Sequence, residues 1–135
     1  MHRTKQKSNM LRTMLIVGSG GFIGTALRYL VQVHAEKYLA SSFPLGTFLV
    51  NISGSFVIGI IYALAEKGNL MNPEWRVFLA VGICGGFTTF STFAMDNLNL
   101  MKDNSLWHLL LYTGGSLFLG IAAVYLGIVL TRYLI

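Results

Sequence analysis

Along the chain, long apolar runs alternate with short polar clusters. Residues 13–27, 38–65, 77–95 and 104–131 contain no Asp, Glu, Lys or Arg, and His108 is the one other ionisable imidazole inside them. A helix needs about 20 mostly apolar residues to cross hydrocarbon, and charges at its ends can snorkel to the surface. The pattern therefore predicts four transmembrane helices, at about 11–33, 44–66, 74–98 and 106–133. Trp75 and Trp107 open the third and fourth spans, at the headgroup level that indole rings favour, and Pro44 stands in a first helical turn where its missing N–H costs nothing. The connections at 40–43, 67–73 and 102–105 are short and carry turn formers. They leave no room for a folded extramembrane domain, so 1–10 reads as a basic N-terminal tail and 11–135 as one four-helix membrane domain.

The third span departs from this greasy regularity. Residues 82–93, Gly-Ile-Cys-Gly-Gly-Phe-Thr-Thr-Phe-Ser-Thr-Phe, combine three glycines, four hydroxyl side chains and three phenyl rings. Such a stretch predicts a helix that unwinds in mid-membrane. Backbone groups freed there cannot be satisfied by lipid, so interruptions of this kind survive where they line an ion site or a wet cavity.

Two neighbouring spans carry polar stripes. Thr47, Asn51 and Ser55 recur at i, i+4 and i+8 on one face of the second span, with Gly54 and Gly59 beside them. Asn51 is the informative member, because a primary amide in hydrocarbon is costly unless its donors and acceptor are used. An isolated Asn usually joins helix to helix; beside a hydroxyl-rich break it points to the pathway. Tyr112, Ser116 and Gly120 repeat the spacing in the fourth span, with Gly114 and Gly115 allowing close packing. In the first span, Gly20 and Gly24 form a small-xxx-small pair.

Composition agrees with the membrane reading: 54% of residues are hydrophobic and 11% charged, with a mean hydropathy of +0.63, against about 25% charged in a typical soluble domain. The net charge of +5 does not require nucleic acid, since Arg3, Lys5, Lys7 and Arg12 gather in the tail, where they favour anionic lipid and set topology. The side holding the N-terminus collects these four with Lys67, Arg76 and Arg132, seven in all, against Arg28, Lys37 and Lys102 opposite. That bias favours a cytoplasmic N-terminus and rests on the tail. The run after the tail has no small-x-small cleavage site and reaches spanning length, so it reads as an uncleaved helix. One cysteine, Cys84, excludes an internal disulfide, and His2, His34 and His108 lack ligand spacing.

The glycines of 15–24 imitate a dinucleotide turn, with Glu36 downstream, but alternating strands and helices do not follow. An anion pathway fits better. Phe90 and Phe93 share a face just beyond the break, and phenyl edges carry the positive end of the ring quadrupole. Ser91, Thr92 and the Asn51 amide can donate hydrogen bonds, and no acidic side chain occupies the middle of a span.

Three motifs together resemble one family. Gly-x-Cys-Gly-Gly-x-Thr-Thr-Phe-Ser-Thr-Phe in the third span, Gly-Thr-x-x-x-Asn-x-x-Gly-Ser-Phe in the second and Gly-Gly-x-x-Gly-x-x-x-Arg-Tyr in the first are similar to those of the small fluoride channels called Fluc or CrcB. The resemblance extends from about Leu11 to nearly the end. It implies a passive fluoride channel of the bacterial plasma membrane (the inner membrane where there are two), not an enzyme. It further implies an antiparallel, dual-topology homodimer with two pores and a structural, untransported sodium ion at its centre. By the same resemblance, main-chain carbonyls of Gly85 and Thr88 hold the sodium; Asn51, Phe90, Phe93, Ser91, Thr92, Tyr112 and Ser116 mark the fluoride pathway; and Arg28 draws anions to a vestibule. Gly120 departs from the family, which has a hydroxyl there. The implied partners are fluoride, lipid and a second copy of the chain, with no nucleic acid.

The physics of the assembly is consistent. Four helices of this length leave no lumen, so a pore between subunits is economical. Bringing a small hydrated anion into a low dielectric costs of order 20 kcal/mol uncompensated, so the path must offer fixed donors. A small proton-coupled multidrug exporter, the nearest rival, needs a buried acid in the first span, and 13–27 contains none. An enzyme lacks its His/Asp/Glu cluster here, and a scaffold would not need the hydroxyl-rich break. The charge bias raises the alternative of a paralogue heterodimer; the homodimer is preferred.

Overall fold

The computed structural model describes residues 2–39, 41–68 and 70–135, with side chains from Ser8 onward. Ala40 and Asn69, in two of the connections, and the side chains of Arg3, Lys5 and Lys7 lie outside the described residues. The described chain is helical: α1 (His2–Tyr38), α2 (Leu45–Glu66), α3 (Pro73–Arg76), a π-helix (Val77–Cys84), α4 (Gly85–Phe87), α5 (Phe90–Lys102) and α6 (Leu106–Leu134). Among the described residues, four stretches are long and apolar enough to cross a membrane: Ser8–Tyr38, Leu45–Glu66, Pro73–Lys102 and Leu106–Leu134. Each contains one of the four expected spans or matches it to within a residue. The helix opens at His2, so the backbone of the basic segment runs straight into the first span.

Local chemistry sets the ends. Pro44 precedes α2 rather than entering it, and its carbonyl accepts the N–H of Phe48 at 3.1 Å. Asn72 caps α3 by accepting the Trp75 N–H at 2.9 Å, with Pro73 as the first helical residue. After α5 the chain reverses through Asn104, whose φ of 52° is left-handed, a conformation that asparagine tolerates. Around it, the Ser105 N–H returns to the Leu100 carbonyl at 3.0 Å and closes the helix end.

The helices pack as two close pairs, α1 along the π-helix and α2 along α6. Glycine makes both approaches possible. A methyl group at Gly20 would strike the Phe78 carbonyl and one at Gly24 the Ile83 carbonyl, so the first-span pair does serve backbone contact. Across the other interface, Gly59 lies against the Val124 backbone and Gly127 against that of Phe56. The α2–α6 pair runs parallel and in register: Phe48 borders Gly115, Ser55 borders Gly120, and Glu66 pairs with Arg132. Arg12 and Glu74 pair at 2.8 Å. The two ion pairs join the N-terminal third of α1 to α3 and the end of α2 to the end of α6, and because only residues 67–72 separate α2 from α3, both pairs lie on one side of the bundle. Both pairs are solvent-facing and contribute little to stability.

Among the described large side chains, only Tyr112 and Val50 are completely buried. Phe22, Phe90, Phe118, Ile121 and Tyr133 each expose more than two thirds of their surface. A water-soluble bundle of this size would collapse to hide them; a lipid-facing one has no such drive.

Candidate functional site

The helical path through 73–102 changes character at its centre. The π-helix Val77–Cys84 widens the turn, and after α4 the backbone becomes extended, with Thr88 at φ −78°, ψ 156° and Thr89 at φ −150°, ψ 118°. Two consecutive β-branched residues with hydroxyls favour this conformation. Thr88 stays tied to the preceding turn, its N–H and its hydroxyl both donating to the Cys84 carbonyl at 2.9 Å. Thr89 caps α5, its hydroxyl oxygen accepting the Thr92 N–H at 3.3 Å.

Other helices take up the released backbone groups. The Thr89 N–H donates to Asn51 Oδ1 at 2.8 Å, and Asn51 Nδ2 donates to the Thr89 carbonyl at 3.1 Å. Asn51 thus mimics a strand neighbour for one residue, and one of its two N–H groups has no partner among the described residues. From α1, Arg28 donates to the Thr88 carbonyl at 3.3 Å and Thr25 to the Gly86 carbonyl at 3.4 Å. Since Thr89 turns its N–H to Asn51, the Gly85 carbonyl loses its ordinary i+4 helical donor.

Beside this joint lies an open cleft of about 350 Å³. Asn51, Ser55, Thr89, Phe90, Phe93 and Ser116 are among the side chains on its walls, and Gly85 and Thr88 also border it. The Ser116 hydroxyl is buried and has no hydrogen-bond partner among the described residues. The Phe90 and Phe93 rings are tilted with centroids 5.8 Å apart, and Phe93 stands 5.2 Å from Tyr112. Phe90 is 80% exposed.

The remaining expected residues are placed differently. Thr92 borders a second cavity of about 530 Å³, with Gln32, Glu36, Thr47 and Asp96. Ser91 is exposed, its hydroxyl 3.5 Å from that of Thr89. Tyr112 is buried between Phe43, Phe48 and Phe93 and donates its O–H to Asp96 at 2.9 Å. Sequence reasoning missed two participants. Thr89 had a legible signal, a Thr three residues before a second Thr at a helix start. Asp96 was passed over because it falls near the end of its span, whereas the helix continues to Lys102 and carries the carboxylate to Tyr112.

The profile of the family described as "CrcB-like protein, Camphor Resistance (CrcB)" matches residues 15–128. Among curated relatives, the fluoride-specific ion channel FluC of Chlorobium luteolum is 44% identical over 120 residues, covering 89% of this chain and 92% of the relative. The protein of the same name from Flavobacterium psychrophilum is 37% identical over 124 residues, 92% of this chain and all of the relative. That from Chlorobaculum tepidum is 43% identical over 123 residues, 91% and 97%. With its four apolar spans and these bacterial channel relatives, the chain is a multi-pass protein of the bacterial cell membrane and not an enzyme. The match along nearly the whole bundle, on top of the three motifs that line its cleft and close contacts, establishes that the chain belongs to the CrcB-like family.

Proposed function

We propose that this chain is a fluoride-selective channel through which toxic fluoride leaves the cytoplasm passively, down its electrochemical gradient. The names of its relatives support the ion, and the cleft supports the sign of the charge. Its polar wall offers the second Asn51 N–H, the Ser116 hydroxyl and phenyl edges, and no carboxylate among the described residues borders it. The observation that carries the reading is the buried, unpartnered hydroxyl of Ser116, a residue that borders the same cleft as Asn51, Phe90 and Phe93. A desolvated donor costs about 1–3 kcal/mol, and a desolvated anion is the partner that offsets it. On this reading Phe90, Phe93, Asn51 and Ser116 line the route, Tyr112 backs Phe93 from behind, and Ser91 and Thr92 lie at its edge, Thr92 beside the second cavity. Arg28 contributes positive charge near the vestibule.

The pore belongs, in this proposal, to two copies assembled antiparallel, each chain inserting in the opposite sense, so that the pair holds two pores. The exposure of Phe90 supports it, since a ring that guides an anion needs a second wall. The broken third span would lie at mid-membrane. A sodium ion at the centre of the pair fits the chain's donor set, because the Gly85 carbonyl has lost its helical donor and the Thr88 carbonyl keeps a lone pair beyond the one Arg28 uses. Such a cation supplies fixed positive charge at the dimer axis and is not transported. Asn51, by taking the Thr89 N–H, leaves the Gly85 carbonyl without that donor, and Arg28 anchors the Thr88 carbonyl.

The test is efflux from liposomes loaded with fluoride or with chloride. Fluoride release, with chloride retained and no proton gradient or ATP supplied, is expected; equal release of both anions, or of neither, overturns the proposal.

A further inference from the structure

On α6, Ser116 borders the cleft, and the residue one turn later on the same helix, Gly120, carries no side chain. A methyl group built at Gly120 would stand 3.7 Å from Ser55 Oγ and 3.9 Å from Ile52 Cδ1, ordinary contact distances. The parallel register of α2 and α6 thus brings Ser55 to the level of Gly120, one turn beyond Asn51, and Ser55 borders the same cleft as Ser116.

Hydroxyls on apolar helices normally return to their own backbone. Ser53 donates to the Leu49 carbonyl at 2.6 Å and Thr131 to the Gly127 carbonyl at 2.7 Å. Ser116 does not, and its oxygen is sealed from solvent within the protomer. A buried polar group without a partner calls for a ligand or a bound water. A lone hydroxyl is a poor exchange for the hydration shell of a small anion, and two or three donors around one point are a better one.

We propose that Ser55 is a second hydroxyl ligand for the permeating anion, supplying from α2 the donor that Gly120 cannot supply from α6. The inference rests on the channel reading above. Asn51 and Ser116 then stand at one level of the paired helices, and Ser55 offers the next donor about one helical turn, roughly 5–6 Å, beyond them. An anion leaving the Asn51–Ser116 level meets Ser55 before it loses the first contacts.

Fluoride flux from liposomes decides it, measured for the wild type, Ser55→Ala, Ser55→Thr and the double variant Ser55→Ala with Gly120→Ser, each checked for intact assembly by size-exclusion chromatography. Loss of one hydrogen bond to a charged ligand corresponds to about a tenfold effect, so Ser55→Ala is expected to slow flux about tenfold. Ser55→Thr, which keeps the hydroxyl, should stay near the wild type. In the double variant, the hydroxyl added on α6 enters the space vacated at position 55 and should recover most of the loss. Wild-type flux that survives Ser55→Ala unchanged overturns the inference and leaves the channel reading standing. A slowed Ser55→Ala protein that the α6 hydroxyl fails to rescue also overturns it, since the deficit then lies in packing. A wild-type protein that passes no fluoride removes both.

Discussion

Asn51 holds both backbone groups of Thr89, its Oδ1 accepting the N–H at 2.8 Å and its Nδ2 donating to the carbonyl at 3.1 Å. One side chain on α2 therefore performs what a neighbouring strand would, at the point where the path through 73–102 abandons helical bonding. Asn51→Ala leaves two buried backbone groups unpaired at about 1–3 kcal/mol each. Asn51→Asp keeps the acceptor but loses the donor and adds a negative charge. Both variants should unfold more readily in detergent, and Asn51→Asp should pass less fluoride than Asn51→Ala because its carboxylate repels the anion. The reverse order of fluxes would detach the amide from conduction.

The phenyl pair separates packing from function. Phe90 is 80% exposed, so Phe90→Ile removes no buried core and should leave thermal stability almost unchanged. Phe93, packed on Tyr112, should lose about 1 kcal/mol as isoleucine. If ring edges guide the ion, both changes cut fluoride efflux at least tenfold. Full transport in both would eliminate the rings from the mechanism.

Tyr112 binds α6 to α5 through Asp96. Tyr112→Phe deletes the O–H and keeps the ring, leaving the carboxylate without this donor. A hydrogen bond to a charged group contributes about 1.5–3 kcal/mol, and a loss of that size is expected in reversible unfolding. Asp96→Asn can still accept from the tyrosine and should lose less. A larger loss in the asparagine variant would show that the ionic character of Asp96 matters more than the bond.

Backbone contact at the α2–α6 seam predicts a sharp contrast between glycines. A methyl group at Gly59 meets the Val124 backbone, and one at Gly114 meets nothing within 4 Å. Gly59→Ala should destabilise by about 1–3 kcal/mol through overpacking. Gly114→Ala should be neutral or gain up to about 1 kcal/mol of helix propensity. Equal effects at both sites would contradict the seam as described.

Sodium dependence is read from assembly rather than transport. Exchanging sodium for a bulky organic cation is expected to shift purified protein from dimer toward monomer, and sodium should restore the dimer. Indifference of the oligomeric state would dismiss the central cation. Accessibility of tags at both termini from each membrane face tests the antiparallel arrangement, which a single orientation would exclude.

The spans were legible because hydrocarbon imposes one requirement on every residue of a run, and that requirement survives without knowledge of neighbours. The Gly20–Gly24 pair was legible for the same reason: only close backbone contact explains two small residues a turn apart. Long-range pairing was not. Nothing local in Asp96 announces Tyr112 sixteen residues on, and nothing in Thr89 announces Asn51. The turn formers did mark the connections, yet whether Thr92 would face the same cleft as Phe93 depended on where α5 restarts. Ser91 and Thr92 were equivalent by composition and are separated in space by one step of rotation about the helix axis.

The bareness of Phe90 has a consequence for any measurement of rate. If the ring becomes useful only when another molecule covers it, conduction obeys mass action in two dimensions. Reconstitution at fewer than one chain per vesicle should then yield silent vesicles, however well folded the chain, and turnover per molecule should climb with surface density until every protomer has found company.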